Sequence, residues 1–263
     1  MFVLLSVSLW GQGREDGLQA YRRLFTLPVQ GKTFTTDRLL QAYVLTEDNV
    51  VEKYTAEGML QFTFPNRTMG DAAFLDATNP FHLLLFFPGH QVVQLMDRTM
   101  NPVVQFNLFR YGIFQSGAVG MSGDGKLWVY DETGFRLRKL QSDGTMVLEG
   151  NDMSLLLREG IRPVSLVERD QLVYVNDPAV GILVFDVFGR YQRTIPLSGI
   201  RDFQVMDDRL VYLRDGKLYS YHLRLMEERG VSMPADVGEV KAANVQQGRL
   251  YLMGKDSLWV YGF

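Results

Sequence analysis

Cysteine is missing from the 263 residues, and histidine occurs only three times. Without thiols the chain has no disulfide staples, no thiolate metal ligands and no cysteine nucleophile. Basic residues are in slight deficit, giving a net charge of −3, so the positive surface that nucleic acid requires is not indicated. Long apolar runs are lacking too. None reaches the roughly 18–20 residues that a membrane-crossing helix needs. What remains is ordinary globular material, 46% apolar and 22% charged, which argues against disorder.

The opening stretch "MFVLLSVSLWGQG" is apolar from Phe2 to Trp10 and then turns small and polar. That pattern is expected of a secretory signal peptide over residues 1–12, followed by a linker over 13–19. The basic segment that ordinarily precedes such a core is lacking, as in a signal truncated at its start. A buried N-terminal strand is the competing reading. With no cysteine at this boundary, lipid attachment at a lipobox is not expected. Export would place the protein in the periplasm or against the outer envelope.

Self-similarity governs the rest of the chain. Thr-apolar-Pro occurs as Thr26-Leu27-Pro28, Thr63-Phe64-Pro65 and Thr194-Ile195-Pro196, with Ser232-Met233-Pro234 as a variant. Gly58 and Gly189 each stand seven residues before one of these prolines. Strand positions aligned on these glycines fall at Tyr54, Met96, Leu140, Phe185, Tyr221 and Tyr261, spaced by 42, 44, 45, 36 and 40 residues. A short β-branched or aromatic segment precedes each, as in "KLWVY" and "LVYV". The pairs Asp124-Gly125, Asp143-Gly144 and Asp215-Gly216 supply the positive φ of tight hairpins. Four antiparallel strands per repeat of about forty residues is the pattern of a propeller blade. The chain is therefore expected to be all-β, a single six-bladed β-propeller over residues 20–263.

Thr26-Leu27-Pro28 has no strands before it to complete, and the sixth repeat stops at Phe263 after its third strand. The N-terminal segment "QAYRRLFTLPV" is thus expected to supply the outer strand of the last blade. Proline suits that position because it cannot donate to a ladder and belongs at an edge.

The segment "LVYVNDPAVGILVFDVFGRY" resembles an NHL-type repeat, through Val175, Asp177, Ile182, Val184, Phe185 and Gly189. Asp131, Arg136, Leu137 and Gly144 repeat part of it. The whole is similar to small exported bacterial propellers without assigned activity, and this resemblance implies a scaffold or protein-binding role and no catalytic residue. Other six-bladed propellers, calcium-dependent lactonases and hydrolases, imply an alternative. Calcium needs six to eight oxygens converging on the channel. The inner segments offer Asp37, Asp76, Asp124, Glu168, Asp207 and Asn244, most of them near turns where aspartate is common anyway.

Other chemistry finds little support. His82 and His222 are expected on inner strands of separate blades and His90 in a Pro-Gly-His turn, which does not make a zinc centre. Ser122 in "GMSGDG" reads as a hairpin and not as a nucleophile elbow. "NRT" at 66–68 fits a glycosylation pattern. Trp128 and Trp259 lie mid-strand and are expected to be buried, which weakens a carbohydrate-binding reading. No cofactor is expected.

Two segments exceed the needs of a minimal blade. "FNLFRYGIFQSG", residues 106–117, carries Phe109, Tyr111 and Phe114 in an expected connector. "NDMSLLLREG", residues 151–160, places Leu155, Leu156 and Leu157 behind Asn151 or Asp152, an expected helix cap. These six residues are the candidate contacts for a protein partner on one propeller face, with channel plugging or packing back on the blades as the alternative.

Overall fold

The computed structural model describes residues 21–66, 68–79, 81–157 and 160–263. The signal and linker expected over 1–12 and 13–19 lie outside the described residues. Local pairing builds the sheets. Blade I is β1's successor series β2 (Gly31–Thr36), β3 (Ala42–Thr46), β4 (Val50–Tyr54) and β5 (Leu60–Pro65), and β1 itself spans Arg22–Leu27. Blade II comprises β6 (Phe74–Asp76), β7 (Leu83–Phe87), β8 (Val92–Met96) and β9 (Pro102–Asn107). Blade III comprises β10 (Val119–Met121), β11 (Leu127–Asp131), β12 (Arg136–Leu140) and β13 (Met146–Glu149). Blade IV comprises β14 (Ser165–Arg169), β15 (Leu172–Asp177), β16 (Gly181–Asp186) and β17 (Tyr191–Ile195). Blade V comprises β18 (Phe203–Met206), β19 (Arg209–Arg214), β20 (Lys217–His222) and β21 (Glu227–Val231). Blade VI has β22 (Ala242–Gln246), β23 (Arg249–Met253) and β24 (Leu258–Gly262), and β1 pairs antiparallel with β24 to complete it.

The ring is thus closed by the N-terminal strand, with Leu27 opposite Leu258 and Arg22 opposite Gly262. Side chains reinforce the seam. Arg23 lies 2.8 Å from Asp236, and Tyr261 donates its hydroxyl to the same carboxylate at 3.0 Å. Across the adjoining junction Thr36 donates to Asn244 at 2.6 Å, and Tyr251 donates to the Leu40 carbonyl at 3.0 Å.

The repeat spacing has a backbone cause. The turn between third and fourth strands needs one left-handed residue, and Gly58 (φ 85°) and Gly189 (φ 72°) fill it in blades I and IV. Each also lies against the outer strand of the preceding blade. A Cβ on Gly58 would meet the Phe25 ring at 2.7 Å, and one on Gly189 would meet Leu148 at 2.9 Å. Blade II uses Met100 at φ 65° instead, which removes the glycine from its sequence pattern. Opening these turns, Thr55, Asp97 and Asp186 each accept two backbone N–H groups through a side-chain oxygen.

Among the described residues the apolar core divides into six clusters, one in each gap between neighbouring blades. Stability therefore comes from blade-on-blade burial, at about 25 cal/mol per Å² of apolar surface. Trp128 is fully buried between blades III and IV, and Trp259 is half-buried against Gly254.

Candidate functional site

Strand direction assigns every loop to a face. With antiparallel blades, the connectors from outer to inner strand share one face with the hairpins between second and third strands. This is the connector face. The remaining turns form the hairpin face. Connectors 108–118 and 150–164 are longer than the other four, which run over 28–30, 66–73, 196–202 and 232–241. They flank the β11–β12 hairpin of blade III on both sides.

The first connector alternates anchors with exposed rings. Asn107 accepts the Phe109 N–H at 3.1 Å and opens a 3₁₀ turn over Leu108–Tyr111. Leu108 and Ile113 are buried, whereas Phe109 is 46% and Phe114 63% exposed. The two exposed rings stand 6.5 Å apart. Gln91 fixes the loop from below, accepting the Ser116 N–H at 2.8 Å and donating to the Ser116 carbonyl at 2.9 Å. Tyr111 turns away, its ring lying over Gly144, where an added Cβ would fall 2.0 Å from Cζ. Phe106 belongs to β9 and is buried, contrary to its expected place in the connector.

The second connector is held by Met153, buried, whose N–H reaches the Phe135 carbonyl at 2.8 Å. Asp152 accepts the Ser154 N–H at 2.8 Å and caps a single turn in place of the expected helix. Leu155 is 92% and Leu156 56% exposed, while Leu157 packs back against the core between blades III and IV. Gln115 and Glu132 tie the first connector to the central hairpin at 2.9 Å. Burial pushes the Glu132 carboxyl up, although Gly117 and Gln115 donate to it. Of the six expected contact residues, the structure thus brings Phe109, Phe114, Leu155 and Leu156 to one face and turns Tyr111 and Leu157 inward. Val164 and Val180, exposed on the same face, carried no pattern that would single them out.

The acidic candidates are spread over turns and junctions. Asp37 accepts N–H groups from Leu39 and Gln41 within its own hairpin. Asp76 accepts from Thr78 and, across the blade boundary, from Met121 N–H at 2.8 Å, and burial pushes its carboxyl up all the same. Asp207 occupies the left-handed turn position between β18 and β19, and Asn244 is engaged by Thr36. Glu168 and Asp124 do meet, between blades III and IV. Glu168 accepts from Ser122 Oγ at 2.5 Å, Trp128 Nε1 at 2.5 Å and Gly123 N–H at 3.0 Å. Asp124 lies 2.6 Å from Lys126 and 3.0 Å from Lys139, whose ammonium stands 4.8 Å above the Trp128 ring. Desolvation works against the Asp124 charge, but hydrogen bonds from Lys126 and Lys139 outweigh it and hold its pKa well below the usual range.

Among the described residues no three His, Asp or Glu side chains converge as a metal site. His82 precedes β7, His90 is exposed in its turn, and His222 ends the third strand of blade V, not an inner strand, 3.1 Å from Asp208. Asn66 is buried and donates to the Gly70 carbonyl at 2.8 Å, so its amide is committed within the fold. No helix among the described residues is long and apolar enough to cross a membrane.

These features define a six-bladed β-propeller with an elaborated connector face. No protein-family model matches the sequence, and no curated protein matches it either. Solved structures match by fold. Virginiamycin B lyase from Staphylococcus aureus, solved with quinupristin, superposes with a TM-score of 0.65 at 10% identity, covering 93% of this chain and 98% of that one. The Pan2 WD40 domain of Neurospora crassa gives 0.63 at 11%, covering 92% and 95%. BBS1N, solved in complex with ARL6DN, gives 0.60 at 14%, covering 92% and 96%.

Proposed function

We propose that this protein is a non-catalytic, protein-binding propeller of NHL-like repeat, an envelope scaffold that engages its partner through the connector face. The observation that carries this reading is the exposure of Phe109, Phe114, Leu155 and Leu156 on the two long connectors that flank blade III, with Val164 and Val180 exposed on the same face. The hairpin face also exposes apolar residues, Leu39 and Met59 on blade I, Phe81 on blade II, Phe188 on blade IV with Val147 beside it, and Leu225 and Met226 on blade V. The exposed parts of these rings and leucines are apolar surface that folding leaves uncovered and that a partner would bury. BBS1N, of the same fold, is solved with another protein bound. Placement in the periplasm or at the outer envelope belongs to the same proposal and draws on the apolar opening Phe2–Trp10. In the alternative, a calcium-dependent hydrolase or lactonase, the candidate carboxylates would have to leave the donors that now hold them.

The test is photo-crosslinking in the native cell from a probe at position 114 or 155. One protein is expected in near-stoichiometric yield, and Phe109→Ser with Leu156→Ser should abolish its capture. An unspecific smear, or capture that survives those substitutions, overturns the reading.

A further inference from the structure

The hairpin face carries a groove of about 590 Å³ between blades III and IV. That is within the range of ligand-binding clefts. Its inner end is lined by Ser122, Asp124, Lys126, Lys139, Glu168 and Gln171, and its outer end by Val147, Leu148, Val187 and Phe188. Beside the outer end, Leu148 and Gly150 lie close against Gly189.

Glu168 ties blades III and IV through Ser122, Gly123 and Trp128, but the blade repeat does not account for the rest of this lining. The residues in register with Glu168 in blades I, III, V and VI are Thr36, Met121, Val205 and Val245. Phe188 is 64% exposed at a turn position that blades I to III fill with Glu57, Thr99 and Asp143. A turn that accepts Glu, Thr or Asp elsewhere has no structural need of an aromatic ring. Val147 is exposed beside it. The walls are also fixed in advance. Glu168 is held by three donors, Asp124 by two lysines, and Arg190 stands over the Phe188 ring at 5.2 Å. A site whose side chains are already ordered loses little entropy on binding.

We infer that this groove is a second binding site, separate from the connector face, and that it takes an extended, uncharged peptide segment bearing one bulky apolar side chain. The chemistry selects that class. The four charges of the inner end cancel, so a ligand carrying net charge gains nothing there. The Lys126 ammonium and Gln171 amide offer donors and Asp124 offers acceptors, which suits peptide groups that present both. The outer end, with two valines, a leucine and a phenylalanine, is a concave apolar wall suited to an aliphatic or aromatic side chain. A sugar would set its hydroxyl rim against those aliphatic groups and leave them unsatisfied.

A random peptide library displayed on phage, panned against the whole chain, tests this. Enriched sequences, resynthesised with a fluorophore, should share a bulky apolar residue and bind independently of added salt. Affinity should fall about tenfold on Phe188→Thr, which copies the blade II turn, and stay unchanged on Phe109→Ser with Phe114→Ser. An unaltered melting curve of Phe188→Thr separates lost binding from lost folding. The inference is overturned if nothing enriches, if enriched peptides ignore Phe188→Thr, or if a glycan array yields Phe188-dependent binding instead. Because the connector-face variant is read in parallel, failure here leaves the protein-binding reading of that face standing, and the reverse holds too.

Discussion

The seam between blades VI and I and the seam between blades III and IV solve the same packing problem with different chemistry. At the first, beside the β1–β24 pairing that completes blade VI, an apolar cluster including Leu27, Phe34, Val44, Tyr251 and Met253 is tied mainly by neutral side chains, Thr36 to Asn244 and Tyr251 to the Leu40 carbonyl, with Arg249 donating to the Ala56 carbonyl. At the second, Trp128, Leu166, Val173 and Phe185 pack below a group of two carboxylates and two lysines, beside a groove. Neutral ties avoid the desolvation of ions, which offsets much of what a buried ion pair contributes. Both seams are spanned by a covalent connector, 28–30 at the first and 150–164 at the second, so the difference lies in the ties: neutral groups and one arginine-to-carbonyl contact at the first, two carboxylates and two lysines at the second.

The largest effect should come from breaking the β1–β24 pairing that completes blade VI. A chain beginning at Val29 lacks β1, leaves β24 with a bare edge and uncovers Tyr261 and the Leu258–Val260 row. Cooperative unfolding should be lost in thermal melts followed by circular dichroism, since this forfeits stability comparable to the about 5–15 kcal/mol of a typical domain. Adding residues 21–28 as a peptide should restore part of it. Cutting only the surface latch by Asp236→Ala should cost no more than about 1 kcal/mol. At the second seam, Glu168→Ala strands the Trp128 and Ser122 donors and should destabilise by about 1–3 kcal/mol in urea titration, with Glu168→Gln recovering part.

The smallest effect concerns pH. The Asp124 pKa is depressed in the folded state, so its contribution to stability is present above the ordinary aspartate value of about 3.9 and is lost as pH falls through the folded value. Asp124→Asn should therefore lower stability near neutrality and flatten the acid limb, the two curves converging as pH falls through the folded value. An acid limb as steep in the variant as in the parent would assign the loss to other carboxylates.

The architecture was legible because its signals have obligatory backbone causes. Gly58 and Gly189 answer a left-handed turn, and the prolines at 28, 65 and 196 end or follow outer strands. Blades II and V were harder to align because Met100 and Met226 take left-handed positions that sequence gives no reason to expect of methionine. Within the long connectors the turn spacing decided what faces out. Leu108 and Phe109 are neighbours with opposite fates, and Tyr111 found a partner in Gly144, far along the chain. The inter-blade group was invisible for the same reason, since Ser122 and Glu168 meet only once two blades are docked. Neither residue type nor local pattern encodes such a meeting.

Because β1 belongs to the last blade, it precedes the other described strands in the chain yet depends on the one farthest from it. Blades I to V each form from one contiguous stretch, whereas Phe25 and Leu27 have no strand to pair with until Leu258–Gly262 is in place. Closing the circle therefore waits on a contact between the two described strands that lie farthest apart in the chain, the kind of long-range pairing that is slow to form.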